Sequence, residues 1–311
     1  MTARVRNTAA AIALAAAVTG TVLLSGSGAA LAAAPAAAVA KGSSHGTLTI
    51  SNGTKYVLIN GRWVNFGAVV RDLAWSPNGT KAAFIDGAGN LDIANPDGSH
   101  RVVVAKNPGN QNWSHPTWQV TKADPRDGIP AKNNLIFAAR AKGVSKLEYV
   151  AATAVNGTPR TLPLGREAGE GVPALPQTGN VWPNAAGSYG TSVYANANTG
   201  DVYIRDDYIR QQGSALTKGS QPALSPNEEE IVFVRSVAGH DHILVEDFTN
   251  GRGHVTDLTP HATTDYTEPA WSADGTTLAV RTPAGTVTMP ANGSGHPTKV
   301  TSVVGLAAYR P

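Results

Sequence analysis

Between residues 46 and 311 the chain alternates short apolar runs with turns rich in Gly, Asn, Asp, Pro and Ser, and no stretch of useful length keeps apolar residues at helical spacing. The clearest unit is Asp72-Leu-Ala-Trp75-Ser-Pro-Asn-Gly79-Thr-Lys-Ala-Ala-Phe84, which reads as a strand, a tight turn and a second strand. Asn-Gly supplies the positive φ angles that a tight hairpin turn needs. Trp75 and Phe84 fall on the face that such a hairpin buries. Around it the chain predicts further strands: Thr47 to Ile50, Tyr56 to Ile59 and Trp63 to Phe66 at the start, separated by Ser51-Asn-Gly53 and Asn60-Gly61.

The unit recurs. Glu268-Pro-Ala-Trp271-Ser-Ala-Asp-Gly275 repeats it closely, and Gln221-Pro-Ala-Leu224-Ser-Pro-Asn-Glu228 repeats it with the turn glycine lost. His115-Pro-Thr-Trp118 and Val181-Trp182-Pro-Asn184 fit the same slot, and Leu306-Ala-Ala-Tyr309-Arg-Pro311 closes the series. The anchors are then Trp75, Trp118, Trp182, Leu224, Trp271 and Tyr309, spaced 38 to 64 residues apart. Strand-turn-strand content at a period of about 40–45 residues is a β-propeller signal. The predicted fold is all-β, a six-bladed β-propeller over 46–311. The blades run over 69–106, 113–164, 182–216, 222–258 and 269–301. The first is built from 46–67 and completed by 306–311, so that the C-terminal strand pairs with the N-terminal strands. Closure of this kind leaves no open sheet edge of the kind that aggregates.

The W-S-P-N-G and W-S-A-D-G units resemble the W-S-P-D-G repeat of TolB-like propellers, a WD-repeat-like family of exported bacterial proteins. The resemblance spans the repeats and implies a fold; it implies much less about function, because propellers host both enzymes and binding proteins.

The first 32 residues predict a signal peptide. Arg4 and Arg6 make a basic start, Ala9 to Leu24 an apolar run, and Ala30-Leu-Ala32 a small-residue exit, with cleavage extendable to Ala40. Gly20, Ser25 and Gly26 interrupt the run, which argues for a cleaved leader and against stable membrane insertion. Residues 33–45, rich in Ala, Pro, Gly and Ser, read as a flexible lead-in. The expected location is outside the cell or at the cell wall. With no cysteine, neither disulfides nor a lipidated cysteine can contribute. The chain has 25 Lys+Arg against 22 Asp+Glu. Loss of Arg4 and Arg6 with the leader leaves it nearly neutral, which argues against a nucleic-acid partner.

No catalytic constellation emerges. The G-x-S-x-G elbow of serine hydrolases is absent, and no H-E-x-x-H or Cys/His zinc pattern exists. His240-Asp-His242 could place two histidines on one side of a strand, but it reads as part of a solvated turn, and no metal or cofactor is expected. His100, His254 and His296 each close a Gly-rich turn and read as turn residues. Glu228-Glu-Glu230 reads as a solvated acidic corner. Three atypical loops, 121–133, 165–180 and 206–219, are candidate binding surfaces. Tyr189, Tyr194, Tyr203 and Tyr208 could stack on a glycan, or simply belong to half-buried sheets.

Three residues before the anchors stand Asp72, His115, Gly179, Gln221, Glu268 and Leu306. If the repeats superpose, these residues ring one opening of the central channel, and Asp72, His115, Gln221 and Glu268 are the ligand candidates. Asp72 beside His115 is expected to raise the histidine pKa. The functional reading is a secreted, non-catalytic binding module with a protein partner. The alternative is an extracellular carbohydrate-active or small-ligand enzyme working at the channel mouth.

Overall fold

The computed structural model describes residues 45–165, 174–208, 212–248 and 253–311. The leader, the lead-in up to residue 44, and parts of the loops at 165–180 and 206–219 lie outside these. The described residues lie within one compact unit.

Six four-stranded antiparallel sheets make six blades. Their inner strands are Leu306–Arg310 in blade one, Arg71–Trp75, Asn112–Thr121, Asn180–Ala185, Ser220–Leu224 and Thr267–Trp271. In blade one the strand Leu306–Arg310 pairs with Thr47–Ser51, with Tyr309 opposite Leu48 and Ala307 opposite Ile50. Thr49 Oγ1 donates to the Ala308 carbonyl at 2.8 Å. The C-terminal strand therefore completes the first sheet, as the repeat pattern predicts.

Strand alternation sends apolar side chains to both faces of each sheet, so the core lies between blades. Ile85, Leu91 and Val104 of blade two pack on Trp113, Leu135 and Phe137 of blade three. Val232, Ile243 and Val245 of blade five meet Trp271, Leu278 and Val280 of blade six. Three tryptophans reach back to the preceding blade. The Nε1–H of Trp75 donates to Thr49 Oγ1 at 2.9 Å, that of Trp118 to the Ala74 carbonyl at 3.2 Å, and that of Trp271 to the Ala223 carbonyl at 3.0 Å. Each indole thus buries its rings and still satisfies its single donor.

The serine of the repeat has its own job. Ser76 Oγ donates to Asn78 Oδ1 at 2.8 Å and accepts from the Lys81 N–H at 3.0 Å. Ser225 and Ser272 do the same with Asn227 and Asp274 and with the N–H groups of Glu230 and Thr277. Ser-x-Asx is therefore a self-contained turn lock.

Blade four departs from the expected register. Five inner strands carry a β-bulge, at Arg71/Ala74, Ser114/Thr117, Val181/Asn184, Ser220/Ala223 and Thr267/Ala270. In each bulge the second residue has positive φ: Asp72, His115, Trp182, Gln221 and Glu268. Trp182 therefore matches His115, not Trp118, and is not an anchor; Ala185 holds the anchor place and Gly179 lies outside the ring. The reason is the proline. A residue without an N–H fits a strand only at an edge or bulge, so Pro116, Pro183, Pro222 and Pro269 fix the register more firmly than the tryptophans do. Of the five bulged strands only that of blade two lacks the proline, and there the N–H of Leu73 donates to Ser51 Oγ at 3.2 Å.

His240–Asp247 is a strand, so His240 and His242 are not in a turn. His242 is 4% exposed and its Nδ1 lies 2.8 Å from Asp257 Oδ2, while His240 sits 3.4 Å from Asp265. Nor is Glu228 merely solvated. It occupies the turn-glycine position with φ of 62°, and its carboxylate accepts from the N–H groups of Ser188 (2.7 Å) and Tyr189 (3.1 Å) and from Thr191 Oγ1 (2.5 Å). Blade five thereby grips the first turn of blade four.

Tyr194 and Tyr203 stack at 5.4 Å in the core between blades three and four and cannot meet a glycan. Tyr189, 54% exposed, stays on the surface against Tyr208, whose hydroxyl donates to Asp124 of the 121–133 loop. Beneath this loop lies a buried ionic cluster. Asp207 accepts from Arg205 Nη2 at 2.6 Å and from Gln119 Nε2 at 2.9 Å, and pairs with Lys132. Burial raises the Asp207 pKa, but the Arg205 charge and the bonds from Lys132 and Arg205 outweigh it, so the carboxyl titrates below its ordinary range.

Candidate functional site

The six inner strands line a central cavity of about 510 Å³. At one end stand the first turns of the blades, with Pro77, Ser188, Pro226, Ala273 and Pro311. At the other stand the bulge residues His115, Trp182, Gln221 and Glu268, with Leu306. Trp75, Trp118, Trp271 and Tyr309 show part of their rings along the wall. The mouth therefore has a proline rim, the wall is aromatic and aliphatic, and the polar groups are gathered at the deep end.

The bulges build that end. A left-handed φ at five non-glycine residues costs about 1–3 kcal/mol each, so the ring closure must hold them. In return four of the five bulges, all but the one at Asp72, turn a side chain from the sheet into the central cavity. Neighbouring blades then pair through these residues. Asp72 Oδ2 accepts from the His115 N–H at 3.1 Å, and Gln221 Oε1 accepts from the Glu268 N–H at 2.7 Å. The His115 and Trp182 rings lie 3.7 Å apart between centroids. Arg281 Nη1 donates to Glu268 Oε1 at 2.9 Å, whereas Glu268 Oε2 is buried with no partner among the described residues. Gln221 Nε2 has none there either.

Of the four candidates, His115, Gln221 and Glu268 line the cavity, while Asp72 sits behind His115 as its backbone acceptor. The expected rise of the His115 pKa does not occur. Burial lowers it more than the charges of Asp72 and Glu268 raise it, and the Asp72 carboxylate stands 3.9 Å from Nδ1. His115 is thus a neutral imidazole at pH 7. Trp182 is the member of the site that anchor matching misses, and the signal for it is Trp182-Pro183, aligned with His115-Pro116, Gln221-Pro222 and Glu268-Pro269. Among the described residues no three His, Asp or Glu side chains gather closely enough to hold a metal ion. What the deep end offers is one free acceptor, one free donor and an aromatic pair.

No protein-family model matches the sequence, and no curated protein matches it significantly. Solved structures do match the fold. TolB from Acinetobacter baumannii aligns with a TM-score of 0.59 at 16% identity, over 86% of this chain and 67% of that one. A putative TolB from Agrobacterium tumefaciens aligns at 0.55 and 17% identity, over 83% and 89%. A chain of the nidogen/laminin complex aligns at 0.55 and 10% identity, over 85% and 98%. At such identities the likeness is one of fold, and the fold of this chain is the TolB-like six-bladed β-propeller.

Proposed function

We propose that this chain is an exported, non-catalytic binding module that takes an extended segment of a protein partner into its central cavity. The observation that carries the reading is the deep end of that cavity. Among the described residues Glu268 Oε2 is buried without a donor, and on the neighbouring blade the half-buried Gln221, whose Oε1 takes the Glu268 N–H, leaves its Nε2 without a protein acceptor. A peptide unit brings one N–H and one C=O, and meets both needs at once. The aromatic wall suits the apolar side chains of such a segment. At the mouth, Ser188 lines the cavity and the next residue, Tyr189, is exposed, as aromatic contacts at protein interfaces tend to be. TolB and the nidogen/laminin chain, which share the fold, supply the analogy, and the leader pattern of residues 1–32 supports export.

The test is capture from secreted and cell-wall fractions with tagged chain, wild type against a variant with Asp72, His115 and Glu268 all changed to alanine. A stoichiometric protein is expected with wild type and lost with the variant. A variant that melts like wild type and retains the partner would move the site to the loops at 121–133 and 165–180. A polysaccharide shortened by the wild-type chain would favour the enzymatic reading instead.

A further inference from the structure

Behind the His115–Trp182 pair, on the face away from the mouth, blades three and four flank a second, solvent-facing cavity of about 500 Å³. Its blade-three side is built by register. Asn112 pairs with Arg140, and Arg140 with Ser145, across three adjacent strands. Residues directly opposite each other share a face, so the three side chains form one row, and Ser114, two residues from Asn112, joins that face. Blade four contributes Thr178 and Asn198, held close by the Gly179 N–H, which donates to the Ser145 carbonyl at 2.7 Å.

The polar groups of this cavity differ from those elsewhere in blades three and four. On the mouth face Asp124, Gln119, Asp207 and Glu228 are all taken up by neighbours. In the second cavity the side chains of Asn112, Ser114, Arg140, Ser145, Thr178 and Asn198 have no hydrogen-bond or ion-pair partner among the described residues. Ser145 is buried, Ser114 half-buried and the other four exposed, so together they line a solvent-facing polar concavity beside an indole, which a small polar ligand can enter. Arg140 is the only residue with a full formal charge lining the space, and no carboxylate lines it, so the ligand that fits is an anion. One planar guanidinium matches a carboxylate through two parallel hydrogen bonds. The remaining amides and hydroxyls, which both donate and accept, match hydroxyl groups. Trp182, Val144 and Val181 offer apolar surface for a sugar ring.

We propose that this cavity binds a hexuronic-acid unit, with Arg140 on the carboxylate and the Asn, Ser and Thr side chains on the ring hydroxyls. The site shares the His115–Trp182 wall with the central cavity, but its polar row of Asn112, Ser114, Arg140 and Ser145 lies outside that cavity, so it stands whether or not the central cavity takes a protein segment.

The full chain is titrated calorimetrically with glucuronate and, as its uncharged counterpart, glucose. Saturable binding of glucuronate is expected, with glucose clearly weaker. Arg140 is exposed, so Arg140→Gln should keep the wild-type melting temperature and bind glucuronate roughly tenfold or more weakly. Arg140→Lys, which keeps the charge and loses the paired geometry, should fall between. Lys299→Gln, which removes one exposed charge on the outer strand of blade six, should bind glucuronate like wild type. The proposal is overturned by no saturation up to about 10 mM, a weak limit for a ligand of one sugar. It is equally overturned if glucose binds as tightly as glucuronate, or if folded Arg140→Gln binds glucuronate unchanged.

Discussion

Blade two and blade four contain the same four strands and are fixed in the ring by different means. In blade two an aromatic anchor, Trp75, is buried against blade one, and the Ser76-Pro-Asn-Gly79 turn satisfies itself. In blade four the anchor place holds Ala185. Directional contacts replace the lost area: the Ala185 N–H donates to Thr117 Oγ1 and the Leu224 N–H to Asn184 Oδ1, both at 2.9 Å. Glu228 clasps the first turn from one side, and the Asp207 cluster locks the loops of blades three and four from the other. The exchange has a structural return. A tryptophan released from anchoring stands at the cavity, between its two chambers. Blade four thus relies on polar geometry where blade two relies on apolar area, and the two respond differently to mutation and to pH.

The sharpest way to break this contrast is to truncate the tryptophans. Trp118→Ala removes a buried anchor together with an interblade hydrogen bond and should cost about 3–5 kcal/mol in denaturant unfolding. Trp182→Ala removes a half-buried ring and should cost about 1–2 kcal/mol. Equal losses would make Trp182 an anchor and return blade four to the common pattern.

Two buried aspartates sharpen the contrast in pH. Asp92 of blade two is fully buried, and its pKa is pushed up to about 6 by burial and then by Asp86, against the opposing pull of Arg101. Its neutral form favours the fold, so that contribution is intact below about pH 4 and lost as pH rises through about 6. Relative to wild type, Asp92→Asn should gain up to about 3 kcal/mol between pH 4 and pH 7. Asp207 runs the other way. Its folded pKa is depressed, so its contribution is present above the ordinary carboxylate value and is lost as pH falls below it. Asp207→Asn should cost about 2–3 kcal/mol at neutral pH, by leaving Arg205 and Lys132 buried without their counter-charge, and the cost should shrink below about pH 4. Thermal melts of both variants across this range check the signs, and parallel pH profiles would refute the distinction.

The smallest effect comes from exchanging turn residues. Glu228→Gly relieves a positive φ but releases three hydrogen bonds, for a net loss of about 1–2 kcal/mol. Gly275→Glu places a side chain at φ of 71°, where its Cβ meets Pro226 Cδ at an ordinary 3.7 Å, and should cost about 1 kcal/mol. A stabilising Glu228→Gly would show that the clasp contributes nothing.

The blade count, the closure and the positions of Trp75, Trp118 and Trp271 are legible in the sequence because a turn lock of Ser, Pro and Asx beside an aromatic repeats with little change. Blade four is not legible in the same way. Its anchor is an alanine, and a tryptophan three residues earlier occupies the eye. The X-Pro dipeptides were the better ruler, since a missing N–H restricts backbone position while an indole can serve in several. The candidate ring was half readable for the same reason: His115, Gln221 and Glu268 precede prolines and line the cavity, and Asp72, which precedes none, lies behind. The His115 titration was unreadable, because its direction depends on how much water the site excludes. The role of Glu228 was hidden too, since a run of three glutamates looks the same whether or not a neighbouring turn presents N–H groups to it.

Pairing of Leu306–Arg310 with Thr47–Ser51 ties Thr49 to Ala308, 259 residues apart in sequence. Joining such distant segments carries a large loop-closure entropy and makes for slow assembly. During synthesis, at about 5–20 residues per second, the first three strands of blade one wait roughly 13–50 s for their partner. Throughout that interval the nascent chain exposes an unpaired β-edge of the kind that recruits other chains. The other five blades can be complete while this one is not. A chain cut short before residue 306 leaves that edge uncovered, and none of the other five inner strands is free to cover it, because each pairs within its own blade.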